Sequence, residues 1–219
     1  MIVKLLHHTP LEVADIAICK CYGNEPHSDS EKVKARINRV ANVSKHSSVV
    51  EHISYSLDID GISRSCLIEL SRHRIASYTV KSSRYTLQEL KKEQTFDIVK
   101  YKSYYGRWIR IANDGVKASK YIVLTGDKDV DNMSILALEN VRRMIQEGKT
   151  NDIAKYCMPE CFKTSLVMTI NARSLQNFLE LRSSKHALWE IQLLAKAMYE
   201  AIPDEHKFLY DNIFKEDIK

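Results

Sequence analysis

Residues 53–84 read ISYSLDIDGISRSCLIELSRHRIASYTVKSSR, and the hydrophobic period changes inside this stretch. Ile53, Tyr55, Leu57 and Ile59 alternate with Ser54, Ser56, Asp58 and Asp60, the two-residue repeat of a half-buried strand, and Asp60-Gly61 supplies a turn. Ser63 then caps a short helix carrying Cys66, Leu67, Ile68 and Leu70. The far end of that helix delivers Ser71-Arg72-His73-Arg74, and Tyr78 to Tyr85 reads as extended or irregular.

Outward from this stretch the chain is mostly helical in pattern. Thr9, Pro10 and Glu12 predict a first helix opened by a capping box and closed by Gly23, and a second runs from Ser28 or Ser30 to about Ser44. Asp129 or Asp131 starts a long helix ending at Gly148, and Asn151 caps a short one before Pro159. Ser165–Ile170 predicts a strand, followed by helices over Ala172–Leu181 and Lys185–Ala201. Residues 87–127, rich in lysine and tyrosine, show little periodicity beyond Ile122-Val123-Leu124. With no repeat, low-complexity tract or Pro/Gly-rich linker, the expectation is one domain over residues 1–219.

The chain has 219 residues, 44% hydrophobic and 28% charged, enough to bury a core without disulfides or a structural metal. Five cysteines, an odd and unevenly spaced set, argue for reduced thiols. No window approaches a membrane span, so a cytoplasmic protein without membrane contact is expected. The net charge of +5 suits an anionic small molecule as well as nucleic acid.

Six scattered glycines exclude a glycine-rich phosphate loop, so any phosphate must be held by side chains. Arg72, His73, Arg74, Ser77, Ser82, Ser83 and Arg84 form the densest supply, because guanidinium forks and hydroxyls match phosphate oxygens. Between Arg72 and Arg110 the acids are only Glu89, Glu93 and Asp97, so most cations there lack a local carboxylate. A second set is Asn171, Arg173 and Asn177, with Arg182 beyond. Arg173 and Asn177 share a helix face, although Asn171 also fits a plain helix cap. A third, His46, Ser48, Glu51 and His52, has no zinc spacing, and no metal is expected.

Arg72-His73-Arg74, seven residues and Ser82, continuing Ser83-Arg84-Tyr85, resembles the signature of the flavin-dependent thymidylate synthases. His46-x-Ser48-x-x-Glu51-His52 upstream, and Asn171 to Phe178, Leu181-Arg182 and Trp189-Glu190-Ile191 downstream, are similar to the family's other blocks in the same order. The resemblance implies an α+β fold with a mixed β-sheet and long packing helices. It also implies conversion of dUMP to dTMP with methylenetetrahydrofolate as carbon donor, NADPH as reductant and FAD as hydride carrier, in a homotetramer with shared active sites.

By position, the resemblance makes Ser48, Arg72, His73, Arg74, Asn171, Arg173 and Asn177 flavin contacts. Arg72 also lies close to the nucleotide, Ser82, Ser83 and Arg84 meet dUMP across a subunit boundary, and Arg182 activates the uracil ring. Three positions depart from the family pattern. Lys155 replaces an arginine that contacts dUMP and is expected to remain a point-charge contact to it, Glu69 replaces a frequent glutamine, and Thr79 a frequent asparagine; Glu69 stays in the substrate-binding set, expected to orient an arginine or the base rather than to touch phosphate. Two other readings stay open on sequence grounds. One is a nucleic-acid module using Tyr101, Tyr104, Tyr105 and Trp108 among the cations; the other is a flavoprotein of this fold that oxidises NADPH without methyl transfer.

Overall fold

The structure, a computed structural model, describes residues 1–102, 108–112 and 114–213. It is a mixture of helix and sheet, and the chain divides into two compact units: residues 1–60, 68–79 and 166–219, and residues 61–67 and 80–165.

A four-stranded sheet has the order β1 (Ile2–His8), β2 (Ser54–Ser63), β6 (Lys163–Asn171), β3 (Ala76–Val80). In the first unit, the expected alternation becomes burial: Tyr55, Leu57 and Ile59 are fully buried, while their polar neighbours are partly exposed. No turn forms at Asp60-Gly61, contrary to the sequence reading. Gly61 adopts a positive φ of 79°, a conformation glycine takes freely, and β2 runs through it to Ser63.

The edge strand β1, antiparallel to β2, is absent from the sequence reading. Its apolar residues do not alternate cleanly, and its register slips between Leu5 and His7. The helix α1 (Leu11–Tyr22) ends at Gly23 as expected, but Pro10 stands at its N-cap. Thr9 is instead tied to Ser54, Oγ1 to Oγ at 2.9 Å. The helix α2 (Ser30–Ile37) is capped by Asp29 and continues as a wider π-turn to Val43. The helices α8 (Ala172–Arg182) and α9 (Trp189–Ala201) pack together through buried Leu175, Phe178, Leu194 and Met198.

In the second unit, α3 (Arg64–Leu70), which begins there, is capped by Ser63 as expected, Oγ accepting from Cys66 N–H at 2.9 Å. The segment read as irregular up to Tyr85 becomes helical at Ser83, where α4 (Ser83–Lys91) begins. A hairpin, β4 (Ile98–Lys102) with β5 (Trp108–Ala112), and α5 (Gly115–Ala118) follow. The long α6 (Lys128–Gln146) is capped by Asp127, and α7 (Asn151–Ala154) completes the unit. Their core is Leu87, Leu90, Phe96, Ile122, Leu138, Val141 and Phe162. Tyr104, Tyr105 and Arg107, and the side chains of Tyr101, Trp108 and Arg110, lie outside the described residues.

Candidate active site

In the first unit, the last turn of α8 brings Arg182 against the end of α3 and the residues that follow it. The separation is 113 residues in sequence, and the guanidinium is engaged on each nitrogen. Nε donates to His73 Nε2 at 3.0 Å, NH1 to Glu69 Oε2 at 2.8 Å and NH2 to the Glu69 carbonyl at 3.1 Å. Glu69 Oε1 also accepts from Arg72 NH1 at 3.4 Å. The Arg182 side chain is only 17% exposed, so this fork is held rather than waving in water.

His73 is positioned independently. Its ring meets Phe178 edge-on with centroids 4.9 Å apart, and its carbonyl accepts from Tyr78 Oη at 2.6 Å. Partial burial, then the adjacent Arg182, lower the His73 pKa, with Glu69 opposing. A neutral ring follows, with Nε2 as acceptor and the proton on Nδ1. Two guanidinium groups, one carboxylate and a neutral imidazole leave one net positive charge in the cluster.

A cavity of about 680 Å³ lies elsewhere in the same unit. Lys45, Arg173 and Lys185 face it together with the hydroxyls of Ser47, Ser183 and Ser184, against a single carboxylate from Glu180. Arg173 is exposed on the first turn of α8 and bonds only weakly to Gln176, at 3.3 Å. The Ser183 Oγ is buried without a hydrogen-bond partner. Cations, hydroxyls and an unsatisfied donor suit an anionic, hydrogen-bonding ligand. Ser48 is exposed on the same short 3-10 turn (Ser47–His52) as the lining Ser47. Asn171 caps α8, its Oδ1 accepting from Ser174 N–H at 2.7 Å. Arg72, His73, Arg74 and Asn177 are not lining residues of this cavity.

In the second unit, Asp152 collects both expected substrate cations: Arg84 Nε at 2.8 Å and Lys155 Nζ at 3.9 Å. Ser82 is the N-cap residue of α4, with Ser83 as its first residue, and Arg84 also borders a groove of about 440 Å³ with Lys91 and Lys149. Most cations between Arg72 and Arg110 lack a carboxylate nearby in sequence, and among the described residues three of them are paired in the structure. Arg72, Lys81 and Arg84 pair with Glu69, Glu89 and Asp152 respectively. Two of those acids were uncounted because they lie outside the sequence window. Thr79 is exposed, and nothing in its surroundings explains its departure from asparagine.

Sequence reasoning missed the Lys45, Ser183, Ser184 and Lys185 wall. The hydroxyl-cation run immediately after Arg182 was its one available signal. Among the described residues His46, Glu51 and His52 do not form a metal-sized cluster, and His46 Nδ1 lies 3.1 Å from Tyr22 Oη.

A model of the family described as thymidylate synthase complementing protein matches residues 4–206. The chain belongs to this family. The match spans both compact units of this thymidylate synthase family member. The flavin-dependent thymidylate synthase of Campylobacter jejuni (strain RM1221) is 49% identical over 221 residues, covering 100% of both chains. That of Helicobacter pylori (strain ATCC 700392 / 26695) is 47% identical over 213 residues, covering 95% of this chain and 97% of its own. A crystal structure of Helicobacter pylori thymidylate synthase X with FAD and dUMP superimposes with a TM-score of 0.87 at 46% identity, covering 98% of this chain and 99% of that one. The family member described here is thus related along its whole length to enzymes bearing one name.

Proposed function

We propose that this chain converts dUMP to dTMP by reductive methylation, and that Arg182 is the residue that makes the uracil ring reactive. The observation that carries the reading is the engaged guanidinium. Arg182 has five N–H donors, and three are held by His73 and Glu69, so two N–H groups remain in a fixed plane. A preorganised pair of charged donors suits the O2 and N3 edge of a pyrimidine, where negative charge grows as C5 becomes nucleophilic. No cysteine nucleophile is required in this scheme.

FAD, when bound, carries the hydride from NADPH that completes the methyl group, and methylenetetrahydrofolate supplies the carbon. Arg173, Ser48 and the hydroxyl wall of the large cavity are the residues suited to hold the dinucleotide. Arg72, His73, Arg74, Asn171 and Asn177 belong to the same contact set by position. Arg84, Ser82, Ser83 and Lys155 meet the nucleotide phosphate. Asp152 holds Arg84 and Lys155 together, so a phosphate entering there exchanges one anionic partner for another. Glu69 orients Arg182 and Arg72 rather than touching phosphate, since like charges repel. The two units act as one catalytic domain, a reading supported by the single family match, and the working form is a cytoplasmic homotetramer with shared sites and no nucleic-acid partner. Among the described residues no helix is long and apolar enough to cross a membrane.

The test is product formation. With FAD, dUMP, methylenetetrahydrofolate and NADPH, the protein is expected to form dTMP, and Arg173→Ala to weaken flavin retention about tenfold or more through loss of a charge-assisted contact worth ~1.5–3 kcal/mol. NADPH oxidation without dTMP points to the oxidase reading. A colourless protein that binds oligonucleotides with steep salt dependence points to the nucleic-acid reading. Unchanged FAD affinity in Arg173→Ala removes Arg173 from the flavin set.

A further inference from the structure

Away from these sites, two histidines from opposite ends of the described chain meet in the first unit. His8 closes β1 opposite Tyr55, and the register slip between Leu5 and His7 turns His8 partly inward where an unbroken alternation would send it out. His206 sits in the 3-10 turn Asp204–Tyr210 and is completely buried. The two rings are nearly perpendicular, with centroids 4.9 Å apart.

One nitrogen of each ring is unsatisfied. His8 Nδ1 and His206 Nε2 are buried and have no hydrogen-bond partner. The other nitrogen of His206, Nδ1, lies 3.0 Å from Tyr55 Oη. With Nδ1–H donating to that oxygen, Nε2 is left with its lone pair, the arrangement in which an outer partner fixes the tautomer of a metal-bound imidazole. Burial, then the neighbouring His8, lower the His206 pKa to about 4, so the ring is neutral and its lone pair available at ordinary pH. The third donor is Glu205, whose Oε1 is 3.8 Å from His206 Nε2.

We propose that His8, Glu205 and His206 form a binding site for a divalent transition ion, zinc above all. The three donor atoms lie within 4.8 Å of one another. Bond lengths of about 2.0–2.2 Å place tetrahedral donors roughly 3.4 Å apart. The donors stand wider than that by up to about 1.4 Å, and Glu205, with 66% of its side chain exposed, is free to move inward as the rings adjust. Two neutral imidazoles and a carboxylate suit zinc, with a fourth position open to water. The ion would satisfy both orphaned nitrogens at once, which neither ring does for the other. It would also tie the end of β1 to the turn whose Leu209 borders the Arg173 cavity and whose Leu209 carbonyl accepts from Gln176 at 2.7 Å. The sequence reading missed this site because no local spacing links residue 8 to residue 206.

The test uses the flavin-loaded enzyme after treatment with a chelator. Cobalt(II) is titrated in, and its d–d absorption is read on the long-wavelength side of the flavin bands; zinc is then added as competitor. One equivalent per chain is expected to bind with a four-coordinate spectrum that zinc abolishes, and zinc is expected to raise the unfolding midpoint. H8Q and E205Q, which change a half-buried strand end and an exposed carboxylate, are each expected to weaken zinc binding at least tenfold while the far-ultraviolet circular dichroism stays that of the parent. H206Q removes a fully buried ring and serves only as a third comparison if it folds. Absence of saturable uptake overturns the proposal and leaves a buried water as the partner of the two nitrogens. Uptake unchanged in both H8Q and E205Q also overturns it, placing the ion elsewhere, for instance at exposed Cys21 or Cys157.

Discussion

Arg182→Ala is expected to lower the rate of dTMP formation about 10²–10³-fold, equivalent to ~2.7–4 kcal/mol of transition-state stabilisation, while the protein keeps its flavin. The loss belongs to kcat. Arg182 does not border the cavity assigned to the dinucleotide, and its removal leaves Glu69 still paired with Arg72 on a partly exposed surface. That residual pair keeps the cost in stability small. Arg182→Lys is expected to recover only part of the rate, because an ammonium keeps the charge but cannot hold three partners and still present two coplanar donors. Single-turnover measurement of dTMP with a parallel flavin spectrum separates these outcomes. A parent-like rate in Arg182→Ala removes this residue from ring activation.

The second large effect is on stability. In the second unit Glu139 and Arg142 form a buried bidentate pair, Nε to Oε2 and NH2 to Oε1, both at 2.7 Å. The pair is tied into its surroundings by Phe96 N–H to Glu139, and by Arg142 to the Thr95 hydroxyl and the Glu93 carbonyl. Glu139→Ala leaves the guanidinium of Arg142, a residue only 5% exposed, without its counter-charge, and the Phe96 N–H without an acceptor. The expected cost is about 3–5 kcal/mol, a drop in unfolding midpoint on the order of 10 °C. The double variant Glu139→Leu/Arg142→Leu is expected to regain most of that loss, since it buries no uncompensated charge. Thermal unfolding of the three proteins decides it, and a midpoint for Glu139→Ala within a degree or two of the parent contradicts the argument.

Much of the scaffold around the first site is legible in sequence because it depends on local rules. The Ile53 to Ile59 alternation, the Ser63 cap and the Asn171 cap each state their structure within a few residues, and the structure places β2, α3 and α8 accordingly. The strand β1 fails that test. Its slip after Leu5 breaks the period of two, and an edge strand is specified by β2 as much as by itself. Gly61 misleads for a related reason, since the positive φ that makes glycine a turn former also lets a strand pass through.

The site shows the same division. The arginines, hydroxyls and asparagines are visible as residue types suited to anions, but their partners are not. Nothing near Arg182 points to Glu69, and nothing near Arg84 points to Asp152, because those pairs are made by chain returning from far away. Glu69, expected from the sequence to orient an arginine, pairs with neighbouring Arg72 and also with Arg182, the partner that sequence spacing does not show.

Crystals of this protein grown with FAD and dUMP test the central claim most directly. The account expects the uracil edge of dUMP to lie against the two uncommitted N–H groups of Arg182, with Glu69 and His73 still holding the other three. A pyrimidine bound away from Arg182, or an Arg182 that leaves Glu69 and His73 to face solvent, would contradict it.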